Sequence, residues 1–141
     1  MTDEDIPAVA ELEQVCFSEP WSQKSLKESL GNTNYRMLTA KMDGKTIGYV
    51  STYLVADELN IANLAVDPAY RRMGIGWALL LSTIHLAKQN RLSTIYLEVR
   101  VSNQAAIALY EKAEFERCGI RKNFYDNPKE DGMMMRLDLE F

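Results

Sequence analysis

The sequence predicts a mixed α/β fold, and three observations carry that prediction. Residues 58 to 100 read as strand, glycine-containing loop, helix and strand, the order of a right-handed crossover between two parallel strands. Asp43-Gly44 separates two β-rich runs, which marks a hairpin and therefore antiparallel neighbours. Asp5 to Cys16, Ser22 to Leu30 and Gln104 to Lys112 read as helices with capping residues in front. Together they imply a mostly antiparallel sheet of about six strands, with one parallel pair around the crossover helix and about four flanking helices. Residues 1–141 are read as one domain, a length at which folding buries roughly two thirds of the surface.

Asp5-Ile-Pro-Ala through Cys16 places a capping residue and a first-turn proline before apolar positions at helical spacing, so it reads as a helix. Ser22 to Leu30, closed by Gly31, reads as a second. Tyr35 to Met42 and Thr46 to Val55 form the hairpin, and Glu58 to Val66 adds a third strand. Asp67-Pro68 ends it, because proline cannot donate to a ladder. A helix to about Gln89 leads to Thr94–Arg100, a strand with Ile95, Leu97 and Val99 on one face and Tyr96, Glu98 and Arg100 on the other. Ser102-Asn103 caps a helix from Gln104 to Lys112. Phe115 to Asn123 and Met133 to Leu139 supply the last strands.

Composition narrows the function classes. A formal charge of −4 argues against a surface that tracks nucleic-acid phosphates, and no direct nucleic-acid partner is expected. No apolar run approaches the ~18 residues of a membrane span. The acidic start Met1-Thr-Asp-Glu-Asp5 is unlike a secretory signal, so a cytoplasmic location without membrane attachment is expected. Cys16 and Cys118 are far apart and read as buried thiols. His85 shares a polar stripe with Ser82 and Gln89, which makes it an exposed helical histidine, and no metal site is expected.

Ala69-Tyr-Arg-Arg-Met-Gly-Ile-Gly-Trp-Ala78 raises the chemical question, because two arginines precede bare backbone and the start of a helix. Unpaired amides of a first helical turn, its positive dipole end and glycines without Cβ atoms suit a phosphate or pyrophosphate. A Walker loop would need Gly-Lys-Ser/Thr where Gly76-Trp77-Ala78 stands. A dinucleotide fingerprint would need a third glycine where Leu79 stands. In the predicted topology this loop, Glu98 and Asn103 all lie at the carboxyl edge of the sheet, where ligands of open α/β sheets collect.

Arg71-Arg-Met-Gly-Ile-Gly76, with Asn63-Leu-Ala-Val-Asp-Pro68 before it and Leu97-Glu-Val-Arg-Val-Ser-Asn103 and Ala106-Ile-Ala-Leu-Tyr110 after, resembles the GNAT superfamily of acetyl-CoA-dependent N-acetyltransferases. Within it the chain is most similar to the RimI type, the ribosomal-protein alanine N-acetyltransferases. The likeness includes Pro20-Trp-Ser22 and Arg121-Lys-Asn-Phe-Tyr125. It implies a GNAT fold, acetyl-CoA as co-substrate and the N-terminal α-amine of a protein as acceptor, a ribosomal protein among the partners. It also implies that Leu64, Ala65 and Val66 hold the pantetheine arm and that Arg71, Arg72, Met73, Gly74, Ile75, Gly76 and Trp77 wrap the pyrophosphate. Asn103 would bond the cofactor, Glu98 would act as general base and Tyr110 as general acid. Trp21, Phe124 and Tyr125 would line the acceptor groove.

Other readings of these residues remain open from sequence. Glu98 also reads as a strand carboxylate paired with a neighbour such as Arg100, Tyr110 as a core tyrosine, and Asn103 as a plain cap. Trp21, Phe124 and Tyr125 also read as ordinary packing. A small-molecule amine as acceptor, or a CoA-binding module without turnover, are the alternative functions. Two features depart from the family pattern. Only four residues precede the first helix, so the family's first edge strand is expected to be absent, leaving the edge at Tyr35–Met42 less covered. Glu114 stands where the family has the glycine that ends a helix, which puts helix termination there in doubt.

Overall fold

The computed structural model describes residues 1–140. A 3-10 turn at Asp3–Asp5 leads into α1 (Ile6–Cys16) and α2 (Gln23–Leu30). The strands β1 (Tyr35–Met42), β2 (Lys45–Val55) and β3 (Glu58–Val66) follow. Then come α3 (Ile75–Gln89), β4 (Thr94–Arg100), α4 (Gln104–Lys112), β5 (Glu116–Tyr125) and β6 (Glu130–Asp138). The sheet order is β1-β2-β3-β4-β6-β5, with β3 and β4 parallel and all other neighbours antiparallel. This is the mixed fold that the sequence predicts, and β1 is an edge strand.

Two apolar layers sandwich the sheet. Leu59, Ile61, Ile95, Leu97 and Val99 face Leu79 and Leu80 of α3 and Ile107 of α4. On the other face Met37, Tyr49 and Ala65 pack against Ile6, Val9 and Leu12 of α1 and Leu26 of α2. Gly48 lets α3 cross closely, since a Cβ there would come within 3.2 Å of Ile75 and Leu79 side chains.

Local details correct several expectations. Asp5 does not cap α1 through its side chain; its carboxylate accepts the Thr2 amide at 2.8 Å and pairs with Lys41 at 2.7 Å. Gly31 ends α2 in a right-handed conformation, so its lack of a Cβ is not required by backbone geometry there. Cys118 is exposed and Cys16 half-buried, because Cys118 lies on the outermost strand β5. His85 is exposed, as its polar stripe predicts.

Glu114 adopts the left-handed conformation with φ +74, and α4 ends on schedule. The Phe115 amide returns to the Tyr110 carbonyl at 3.0 Å, and the two rings pack 5.8 Å apart. That is a helix stop in which the residue after the turn packs back on the last turn. An L-residue in this conformation costs about 1–2 kcal/mol. Glu114→Gly is therefore expected to raise unfolding stability by about 1 kcal/mol, partly offset by the freer unfolded chain; an unchanged urea midpoint would contradict it.

Candidate active site

The glycine loop is shaped by its backbone. After β3, the Asp67 carboxylate caps the Ala69 amide at 2.9 Å and a 3-10 turn spans Pro68–Tyr70. Arg72 at φ +67 and Gly74 at φ +78 then swing the chain into α3. Among the described residues, the amides of residues 72–77 have no backbone acceptor. Arg71 lies against the Cys16 sulfur, its Nη2 at 3.8 Å, and Arg72 is exposed. Met73 is exposed, and the Trp77 ring lies under the Lys112 ammonium at 4.6 Å. Gly76 has room for a Cβ, with nothing closer than 3.6 Å, so the fold itself does not demand glycine there.

Beside the loop the sheet splits. The parallel ladder of β3 and β4 ends at Ile61↔Leu97, although β3 continues to Val66 and β4 to Arg100. A register shift in the β2–β3 ladder places Ser51 opposite Asn63 and Thr52 opposite Ile61, which leaves Ala62 as a bulge residue. A bulge bends its strand, and here it accompanies the parting of β3 from β4. Leu64, Ala65 and Val66 still pair with β2, so their opposite backbone edge borders the wedge.

Glu98 stands on β4 one residue past the split. Its Oε1 meets Arg121 Nε of β5 at 3.3 Å. The expected alternative partner, Arg100, is engaged elsewhere. Arg100 reaches the carbonyls of Asp126 and Pro128 at 2.7 and 2.8 Å, Glu130 at 3.3 Å and the Ser18 hydroxyl at 3.2 Å. It also covers the Tyr125 ring at 4.6 Å. Burial, reinforced by the Glu98 charge, pushes Tyr125 up to about 12 and also raises Tyr53.

Asn103 caps α4, its Oδ1 accepting the Ala106 amide at 3.1 Å. Tyr110, two turns on, is 6% exposed and belongs to the core cluster that also holds Ile61, Leu97 and Phe115. Burial first, then the neighbouring Tyr125, drive its hydroxyl well above the ordinary phenol range.

The remaining aromatic residues fall on two sides of Arg100, one group following the Ser18 loop and the other at the end of β5. Trp21 meets Tyr35 edge-on at 6.4 Å, and Tyr35 packs on Tyr53 at 5.6 Å. A cavity of about 310 Å³ is lined by Trp21, Ser25, Glu28, Ser29, Asn32 and Tyr35. Phe124 packs perpendicular to Tyr125 at 4.9 Å and faces the Arg121 guanidinium. Arg100 ties these two sides together by holding both the Ser18 loop and the β5–β6 turn.

Sequence reasoning missed Arg121 as the partner of Glu98, Arg100 as a hub, and the buried group Glu13, Tyr49 and Asn63. It also missed the bulge, although a signal was present. Apolar positions facing α3 shift parity along β3, from Leu59 and Ile61 to Leu64 and Val66, as one inserted residue requires. Burial of Tyr110, and of Tyr49 beside the Glu13 charge, raises both phenols in the folded state. The unfolded chain then loses these protons first, so their contribution is full below pH about 10 and declines above it. A urea midpoint that falls from about pH 10 upward, less steeply in Tyr110→Phe, is the expected result.

Among the described residues, no group of three or more His, Cys, Asp or Glu side chains is placed to hold a metal, and no helix is long and apolar enough to cross a membrane. The chain is 39% identical over 137 residues to the ribosomal protein bS18-alanine N-acetyltransferase of Escherichia coli K12, covering 96% of this chain and 92% of that protein. It is 33% identical over 142 residues to the enzyme of that name from Haemophilus ducreyi, covering 99% and 97%. A crystal structure of the ribosomal-protein-S18-alanine N-acetyltransferase from Escherichia coli superposes with a TM-score of 0.92 at 36% identity over the structural match, covering 100% of this chain and 92% of that one. The family model described as the acetyltransferase (GNAT) family matches residues 6–115, and with these relatives it establishes that the chain belongs to the GNAT family of acetyltransferases.

Proposed function

We propose that the protein moves the acetyl group of acetyl-CoA to the N-terminal α-amine of a protein, with a ribosomal protein bearing N-terminal alanine as acceptor. The observation that carries this reading is the wedge between β3 and β4, with a loop of amides that have no backbone acceptor after β3 and Glu98 one residue past the split on β4. Relatives named as ribosomal protein bS18-alanine N-acetyltransferases support the acceptor class.

Acetyl-CoA fits the residues present. The amides of residues 72–77, with Arg71 and Arg72, take the diphosphate, and the bare Gly76 gives it close approach. The free backbone edge at Leu64, Ala65 and Val66 bonds the pantetheine amides as an added strand would, and Asn103 borders the same groove. When bound, acetyl-CoA supplies the activated thioester.

The acceptor must attack as a neutral amine. At pH 7.4, deprotonating an α-amine of pKa about 7.7–8.0 costs about 0.4–0.8 kcal/mol, against roughly 4 for a lysine near 10.4. Glu98 accepts the proton released as the C–N bond forms, directly or through water. Tyr110, held protonated by burial, donates a hydrogen bond to the sulfur as the C–S bond breaks. Trp21, Phe124 and Tyr125 line the approach of the peptide. Mass spectrometry of a peptide library with varied first residues, incubated with acetyl-CoA, is expected to show α-acetylation with alanine-first peptides favoured. Acetylation of free amines alone, or of nothing, would overturn the reading.

A further inference from the structure

Glu13 occupies a core position of α1 alongside Val9 and Leu12, and it is 0% exposed. A carboxylate buried among apolar side chains is costly unless it is fully hydrogen-bonded. Its Oε1 accepts from the Tyr49 hydroxyl of β2 and from Asn63 Nδ2 of β3 at 2.7 Å. Its Oε2 accepts the Trp21 amide at 3.3 Å. The three donors come from three separate segments: strand β2, the bulged stretch of β3, and the loop between α1 and α2.

Each tether leads to the candidate active site. Asn63 follows the bulge residue Ala62 and precedes Leu64, at the lip of the wedge. Trp21 belongs to the loop whose Ser18 is held by Arg100, two residues on from Glu98 in β4, and its ring starts an aromatic row through Tyr35 to Tyr53. A leucine would fill the same core position without any tether. The carboxylate instead fixes the distance between the acceptor-side loop and the split strand.

We propose that Glu13 is a positioning residue, which holds the Trp21 loop against the bulged lip of β3 and so sets where the acceptor peptide lies relative to Glu98. This rests on the acetyl-transfer reading above. It differs from a purely structural role in acting on acceptor binding and leaving acetyl-CoA binding alone.

Glu13→Gln separates the tethers. Its amide oxygen still serves Tyr49 and Asn63, while its NH2 group confronts the Trp21 amide, donor against donor. The KM for an alanine-first peptide is expected to rise about tenfold, with kcat changed less than about threefold and acetyl-CoA affinity held, while the melting temperature falls by about a few degrees because a buried donor is left without its acceptor. Adding Trp21→Ala to Glu13→Gln is expected to raise that KM less than it does in the parent, because one placement is lost only once. In the parent protein, hydrogen exchange at the Trp21 amide is expected to be slowed, a measurement that needs no variant to fold. A peptide KM within about twofold of the parent in folded Glu13→Gln, or an unprotected Trp21 amide, overturns the proposal. A parent protein that acetylates no peptide overturns the acetyl-transfer reading itself, before any variant is compared.

Discussion

Glu98→Gln is expected to lower kcat by about 10²–10⁴ while acetyl-CoA affinity stays within about twofold. The substitution keeps the side chain's shape and removes its ability to take a proton. Its other consequence, loss of the charge pair with Arg121, is small. Glu98 and Arg121 side chains are 27% and 53% exposed, and pairs this accessible contribute about 0–1 kcal/mol. The melting temperature should therefore scarcely move, which separates a kinetic effect from a folding defect. Steady-state rates with an alanine-first peptide, alongside calorimetric titration with acetyl-CoA, make the measurement. Parental turnover in the variant would remove Glu98 from the reaction.

Tyr110→Phe is expected to lower kcat by about 10², again with acetyl-CoA affinity nearly intact. A thiol near 8.5 holds its proton less tightly than a phenol near 10, and burial raises Tyr110 further. Full proton transfer to the departing sulfur is thus uphill. A donated hydrogen bond is the stronger role, and its loss falls at the lower end of the usual range for acid–base groups. The ring packs against Phe115 in the core, and the substitution keeps that packing. The variant should fold with parental cooperativity below pH 9. A rate within about threefold of the parent would assign Tyr110 to the core alone.

Much of the fold was legible because its signals are local. Asp43-Gly44 announces the hairpin, and both residues adopt positive φ. Asn103 caps α4, and Ser22 caps α2 by accepting the Ser25 amide at 3.1 Å. The alternation of Ile95, Leu97 and Val99 with Tyr96, Glu98 and Arg100 sorts β4 into a buried face and a half-buried face. At Glu114 local reasoning faltered. The stop is held by the return bond to Tyr110 and the Phe115–Tyr110 contact, and these outweigh the backbone cost of an L-residue.

By itself the sequence determined the order of the elements, the parallel crossover, the glycine loop with its two arginines, and the likeness that points to acetyl transfer. Only the tertiary structure decided that β3 and β4 part at Ile61↔Leu97, that Glu98 faces Arg121 with Arg100 turned to the loops, and that Glu13 lies at the junction of β2, β3 and the Trp21 loop. The reason is range. Caps, turns and strand alternation are set within a few residues, whereas these contacts join residues 8 to 82 positions apart, so their geometry exists only once the sheet has brought distant segments together.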